Sequence, residues 1–114
     1  MKPVLKYGSR LLPLDSDLST IGRKLDNTIV LSSQTVSRYH AEIVFINGEF
    51  FLRDLNSSSG TYLNDRRIAF PVALKSGDRI TMADVEVVFM LDEQEFDDTT
   101  MSRTSPLDPK DLQE

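Results

Sequence analysis

Two runs rich in β-formers, Ala41-Glu42-Ile43-Val44-Phe45-Ile46 and Glu49-Phe50-Phe51-Leu52-Arg53-Asp54-Leu55, are separated only by Asn47-Gly48. Asparagine and glycine both tolerate positive φ, which a two-residue turn between right-twisting strands demands, so this stretch is predicted to be a β-hairpin. A hairpin is marginal on its own in water, and the flanking sequence supplies further strands for it to pack with. Residues 4–7 and 10–14 read as short strands joined through Gly8-Ser9, with Pro13 marking a sheet edge because it cannot donate to a ladder. Further strands are expected over 18–22, 28–31, 61–63, 67–69 and 79–83, with tight turns at Asn64-Asp65-Arg66 and over 75–78. In the last, residues 85–91, Val85, Val87, Phe89 and Leu91 alternate with Glu86, Val88 and Met90. About eleven short strands, with almost nothing of helical period, predict an all-β antiparallel sandwich whose ligand loops cluster at one end. Phe45, Phe50, Phe51, Leu52, Val87 and Phe89 are the expected core.

The chain has 114 residues, enough for one domain with a modest core and a tail. It has no cysteine, so neither disulfides nor thiolate metal sites are available, which fits a reducing, cytoplasmic setting. Its start is charged and its apolar runs stop at four or five residues, so neither a signal peptide nor a membrane-spanning helix is expected. The net charge of −5 argues against a nucleic-acid binder, but it is unevenly spread: +1 over residues 1–91 and −6 over 92–114. Residues 1–91 are therefore read as the domain. Residues 92–114, acidic and poor in apolar side chains, are read as a flexible tail or interdomain linker.

Three loop stretches share small hydroxyl residues, a glycine or an arginine: Gly22-Arg23, Thr35-Val36-Ser37-Arg38-Tyr39-His40, and Asn56-Ser57-Ser58-Ser59-Gly60-Thr61. Two guanidinium groups, Arg23 and Arg38, with the hydroxyls of Ser37, Ser57, Ser58 and Ser59, suit a phosphate dianion, whose desolvation charge-assisted bonds offset. Competing chemistries find less support. His40, the only histidine, lacks the convergent ligands of a metal site and the orienting acid of a catalytic triad with Ser37, so a structural role and no enzyme are expected. The serine run is not followed by the Gly-Lys-Ser/Thr of a nucleotide-binding loop, and Asp15, Asp17 and Asp26 lack calcium-loop spacing. No metal or cofactor is implied. Arg66-Arg67 reads as a charged hairpin tip.

In order and spacing, Gly22-Arg23, Ser37-x-x-His40 and residues 54–64 (Asp-Leu-Asn-Ser-Ser-Ser-Gly-Thr-Tyr-Leu-Asn) resemble a forkhead-associated (FHA) domain over roughly residues 3–91. The resemblance implies an eleven-stranded FHA-like β-sandwich that binds phosphothreonine peptides through loops at one end. It implies that Arg23 lies beside the phosphothreonine, that Ser37 bonds a phosphate oxygen and that Ser58 contacts the phosphate through side chain and backbone. It gives Arg38 a phosphate or peptide-backbone contact, and Gly22, His40, Gly60, Thr61 and Asn64 loop-shaping roles. Ser59 stands where the family most often has asparagine on the peptide backbone; serine is shorter and has one donor instead of two. Thr35 stands where the family reads the third residue after the phosphothreonine and, being uncharged, gives no reason to expect an acidic preference there.

The implied function is recognition of a phosphothreonine-containing protein downstream of a Ser/Thr kinase, in signalling by protein-protein interaction. The alternative is a phosphate-independent FHA-like interaction domain that uses its sandwich face. Thr99, Thr100 and Thr104 follow acidic residues in the tail and resemble phosphorylated segments that some bacterial FHA proteins bind themselves, which raises self-association as a further expectation.

Overall fold

The computed structural model describes residues 2–92, so Thr99, Thr100 and Thr104 lie outside the described residues. Its strands are β1 (Lys2–Tyr7), β2 (Arg10–Pro13), β3 (Leu18–Gly22), β4 (Ile29–Val30), β5 (Ala41–Ile46) and β6 (Glu49–Asp54). β7 (Thr61–Leu63), β8 (Arg66–Arg67), β9 (Val72–Ala73), β10 (Arg79–Met82) and β11 (Val85–Asp92) follow. They form two sheets, one of six strands in the order β2-β1-β11-β10-β7-β8 and one of five in the order β4-β3-β5-β6-β9. This is the expected all-β sandwich, with the eleven strands anticipated. Pro13 lies on the edge strand β2, where its missing N–H costs no ladder bond.

Local turn chemistry sets the hairpins. Asn47 and Gly48, at φ 52° and 83°, join β5 to β6 in full register from Ala41↔Asp54 to Ile46↔Glu49. Asn64 and Asp65, at φ 49° and 73°, make the whole of the next turn, so Arg66 already pairs with Leu63. The expected strand at 67–69 thus starts one residue earlier, and the hairpin tip is Asn64-Asp65 rather than the arginine pair. One ladder departs from the antiparallel expectation: β4 runs parallel to β3, with Ile21 opposite Ile29. Parallel neighbours ordinarily need a long crossover. A strand of two residues has only one rung to retrace, and the loop at 23–28 suffices.

The inner faces hold fully buried Leu5 (β1), Ile21 (β3), Leu52 (β6), Ile80 and Met82 (β10), and Val87 and Phe89 (β11). Burying each such side chain contributes about 1.5–3 kcal/mol. Phe50 packs on Phe89 from the other sheet, with ring centroids 5.3 Å apart. Phe51 departs from the expected core: with period two, Phe50 and Leu52 face inward, and Phe51 joins Leu18, Val44 and Ile46 around an outer groove.

Register also decides where the loops lie. Met82 pairs with Thr61 and with Val85, and Ala41 with Asp54. The β10–β11 turn therefore shares an end with the loop at 55–60 and with the start of β5. β11 runs away from that end, leaving Asp92 opposite it.

Candidate functional site

The site begins with a close approach. A Cβ on Gly22 would lie 2.2 Å from the Arg38 carbonyl oxygen, so only glycine lets the β4–β5 loop pack directly on the end of β3. The Arg23 amide donates to the Ser37 carbonyl at 3.0 Å, the Lys24 amide to that of Arg38 at 3.3 Å, and the His40 amide to that of Ile21 at 2.8 Å. Buried Asn27 locks this ribbon, its Nδ2 donating to the carbonyls of Lys24 (2.9 Å) and Arg38 (2.8 Å). Outside it, the Tyr39 hydroxyl donates to the Asp26 carboxylate at 2.8 Å, and that bond pushes the phenol pKa up from its ordinary value.

On this frame the Arg23 Nε donates to the Val36 carbonyl at 3.0 Å, fixing the guanidinium while its terminal nitrogens remain for a ligand. Ser37 Oγ accepts the Ser58 amide at 3.0 Å and keeps its own proton to donate. Ser58 is exposed beside it, and Ser59 Oγ donates to the Thr35 carbonyl at 3.3 Å. Arg38 is exposed on the same loop. Three loops thus bring Arg23, Ser37 and Ser58 together, with an anchored cation, a free hydroxyl proton and solvent access.

His40 is fully buried beneath. The Ser37 amide donates to its Nδ1 at 3.1 Å, which places the ring proton on Nε2, 2.9 Å from the Gly60 carbonyl that accepts it. Both ring nitrogens are spent on backbone, so this imidazole is not placed to deprotonate Ser37. Gly60 holds φ 85°, and a Cβ there would lie 2.8 Å from Arg67 Nε. Thr61 is fully buried, whereas Asn64 sits at the other end of β7. There its side chain ties the turn to β10, donating to Asp78 at 3.0 Å and accepting from the Arg79 amide at 2.9 Å.

Ser57 does not join the cluster, although its hydroxyl is one of those the sequence offers to a phosphate. That hydroxyl donates to Asp54 at 2.5 Å and accepts the Gly60 amide at 2.9 Å. Asp54 also accepts the Ser57 amide (3.1 Å) and the Thr61 hydroxyl (2.6 Å). Burial works against its charge, but these donors outweigh it and hold the carboxyl below its ordinary value. Sequence reasoning gave no role to Asp54, Asn27 or Asp84. Asp54 had a local signal, an aspartate three residues before a serine, the spacing of a side-chain-capped turn. Asn27 and Asp84 had none.

The FHA domain sequence pattern matches residues 19–83. The chain is 42% identical over 79 residues to the transcriptional regulatory protein EmbR of Mycobacterium tuberculosis, covering 69% of this chain and 20% of that protein. It is 37% identical over 91 residues to the glycogen accumulation regulator GarA of the same organism, covering 80% of this chain and 55% of that one. Among solved structures, EmbR of M. tuberculosis in complex with a low-affinity phosphopeptide superposes with a TM-score of 0.76 at 38% identity, covering 78% of this chain and 24% of that one. The FhaA FHA domain complexed with the intracellular domain of Rv3910 gives 0.71 at 30% identity, covering 76% and 98%. A loop-built site at one end of this sandwich defines the class. The chain belongs to the FHA domain family. It spans about half of GarA and a fifth of EmbR.

Proposed function

We propose that this protein is a non-enzymatic module that binds phosphothreonine segments of partner proteins, making their association depend on a Ser/Thr kinase. The observation that carries this reading is the junction of Arg23, Ser37 and Ser58, held by the Arg23–Ser37 backbone bond and the Ser58–Ser37 bond. A phosphate dianion there meets a preset guanidinium, the Ser37 proton and the exposed Ser58 hydroxyl, while Arg38 and Ser59 flank the peptide. Three charged hydrogen bonds at about 1.5–3 kcal/mol each, less the ordering of a flexible peptide, correspond to roughly micromolar affinity. Titrating a phosphothreonine peptide library beside its unphosphorylated twins tests this. Binding is expected only to the phosphorylated set. Arg23→Ala should abolish it, and Arg23→Lys should weaken it at least about tenfold, since lysine cannot both anchor on Val36 and offer a planar fork. Arg23 is exposed and its side chain makes one bond to the fold, to the Val36 carbonyl, so the unfolding midpoint should fall only slightly, reflecting the loss of that bond, about 0.5–1.5 kcal/mol.

A second reading, phosphate-independent recognition by the sandwich face, draws on the open groove of about 710 Å3 lined in part by Leu18, Val44, Ile46, Phe51 and Pro71. Equal affinity for a phosphorylated segment and its unphosphorylated twin, lost in Val44→Lys, would put that reading in place of the first.

A further inference from the structure

Asp84 lies on the two-residue turn between β10 and β11, after Ala83 at φ 57°. Its Oδ1 accepts hydrogen bonds from Ser33 Oγ and Thr35 Oγ1, each at 2.7 Å, across 51 and 49 residues of sequence. Both hydroxyls point at the one carboxylate oxygen and lie 2.9 Å from each other, so Asp84 brings a negative charge to this part of the rim. The two bonds also lower the Asp84 pKa, keeping it charged at neutral pH.

Asp84 adjoins the candidate site directly. Thr35, which it holds, receives the Ser59 hydroxyl at its carbonyl, and Ser58 next door bonds Ser37. One loop therefore adjoins both signs of charge: the Val36 carbonyl holds the Arg23 guanidinium, while the hydroxyls of residues 33 and 35 hold Asp84. The two parts are only a few residues apart on that loop, so an extended segment with its phosphate at the cationic part can reach the anionic part within a few residues, at ~3.3 Å per residue.

Resting on the phosphothreonine reading above, we propose that Asp84 is a specificity-determining residue: it selects phosphothreonine segments that carry lysine or arginine a few residues from the phosphate and discriminates against acidic side chains there. Exposed charge pairs are individually weak and screened by salt, so the expected preference for lysine over glutamate is about three- to tenfold at low ionic strength, shrinking as salt rises.

The test uses the full chain and a phosphothreonine peptide on an alanine background, with single Lys or Glu substitutions stepped along both sides of the phosphate and affinities read by fluorescence anisotropy. The unchanged chain should bind the alanine peptide and prefer Lys to Glu at one or two adjacent positions. Asp84→Asn keeps an oxygen acceptor for Ser33 and Thr35, so the turn is retained, and the preference should fall to about one. Asp84→Lys should invert it. A Lys-to-Glu ratio near one at every position in the unchanged chain, or a ratio that survives in Asp84→Asn, overturns the assignment. Failure to bind the alanine peptide at all overturns the phosphothreonine reading itself and takes this inference with it.

Discussion

The hydrogen bonds that converge on Asp54, from the Ser57 amide, the Ser57 hydroxyl and the Thr61 hydroxyl, make one carboxylate the fulcrum of the loop at 55–60. Removing it in Asp54→Ala strands those donors, at an expected cost of about 1–3 kcal/mol read by urea unfolding. A pH dependence follows. The folded pKa is below its ordinary value, so the contribution is complete above the unfolded value near about 3.9 and is lost as pH falls through the folded value. Acid titration followed by near-ultraviolet circular dichroism should show stability dropping below about pH 4, with a shallower drop in Asp54→Asn. The residue types of the site were legible in the sequence, but their division of labour was only partly so. Ser57 looks no different from Ser58 as text, yet one is consumed by Asp54 and the other is open to solvent. The capture of Ser57 is local, three residues from Asp54, but the placing of Ser58 against Ser37, 21 residues away, is a contact that no local pattern encodes.

Strand β3 and the Ser37–His40 ribbon work as one element, and Gly22 is where they touch. In Gly22→Ala the new Cβ meets a backbone oxygen that cannot swing aside, so the ribbon must lift from β3. Overpacking of this kind costs about 1–3 kcal/mol. The Arg23 and His40 amides, which bond across the junction, should exchange hydrogen much faster, and phosphopeptide binding should be lost with them. Gly60→Ala is a useful contrast. It meets the flexible Arg67 side chain, so its penalty comes mainly from φ 85°, about 1–2 kcal/mol. β5 and β6 could be read as β-forming runs either side of Asn47-Gly48, and β11 from its alternation, because turn chemistry and alternation are both local signals. The parallel run of β4 could not. A two-residue strand has no period, and its direction depends on which neighbour it meets.

At the scale of the whole molecule, strand direction governs what the acidic sequence beyond Asp92 can reach. β11 starts at the ligand-loop end and carries the chain to Asp92 at the other, about 23 Å away at ~3.3 Å per residue. A phosphorylated tail threonine that binds its own site must retrace that length. Thr99, seven residues beyond Asp92, reaches at most about 25 Å when fully extended, and Thr104, twelve beyond, about 42 Å. Phosphate on Thr99 can therefore engage its own chain only nearly taut, whereas a second chain imposes no such stretch. Phosphate on Thr104 has slack to close within one chain, where the effective concentration is high. Chains phosphorylated singly at each position should thus separate in sedimentation velocity: dimers that grow with concentration for Thr99, compact monomers for Thr104. In both, Arg23→Ala should return the behaviour of the unphosphorylated chain. If Thr99 and Thr104 behave alike, reach is not what sets the outcome. If neither phosphate changes sedimentation or competes with a free phosphothreonine peptide, the tail is not a ligand of this site.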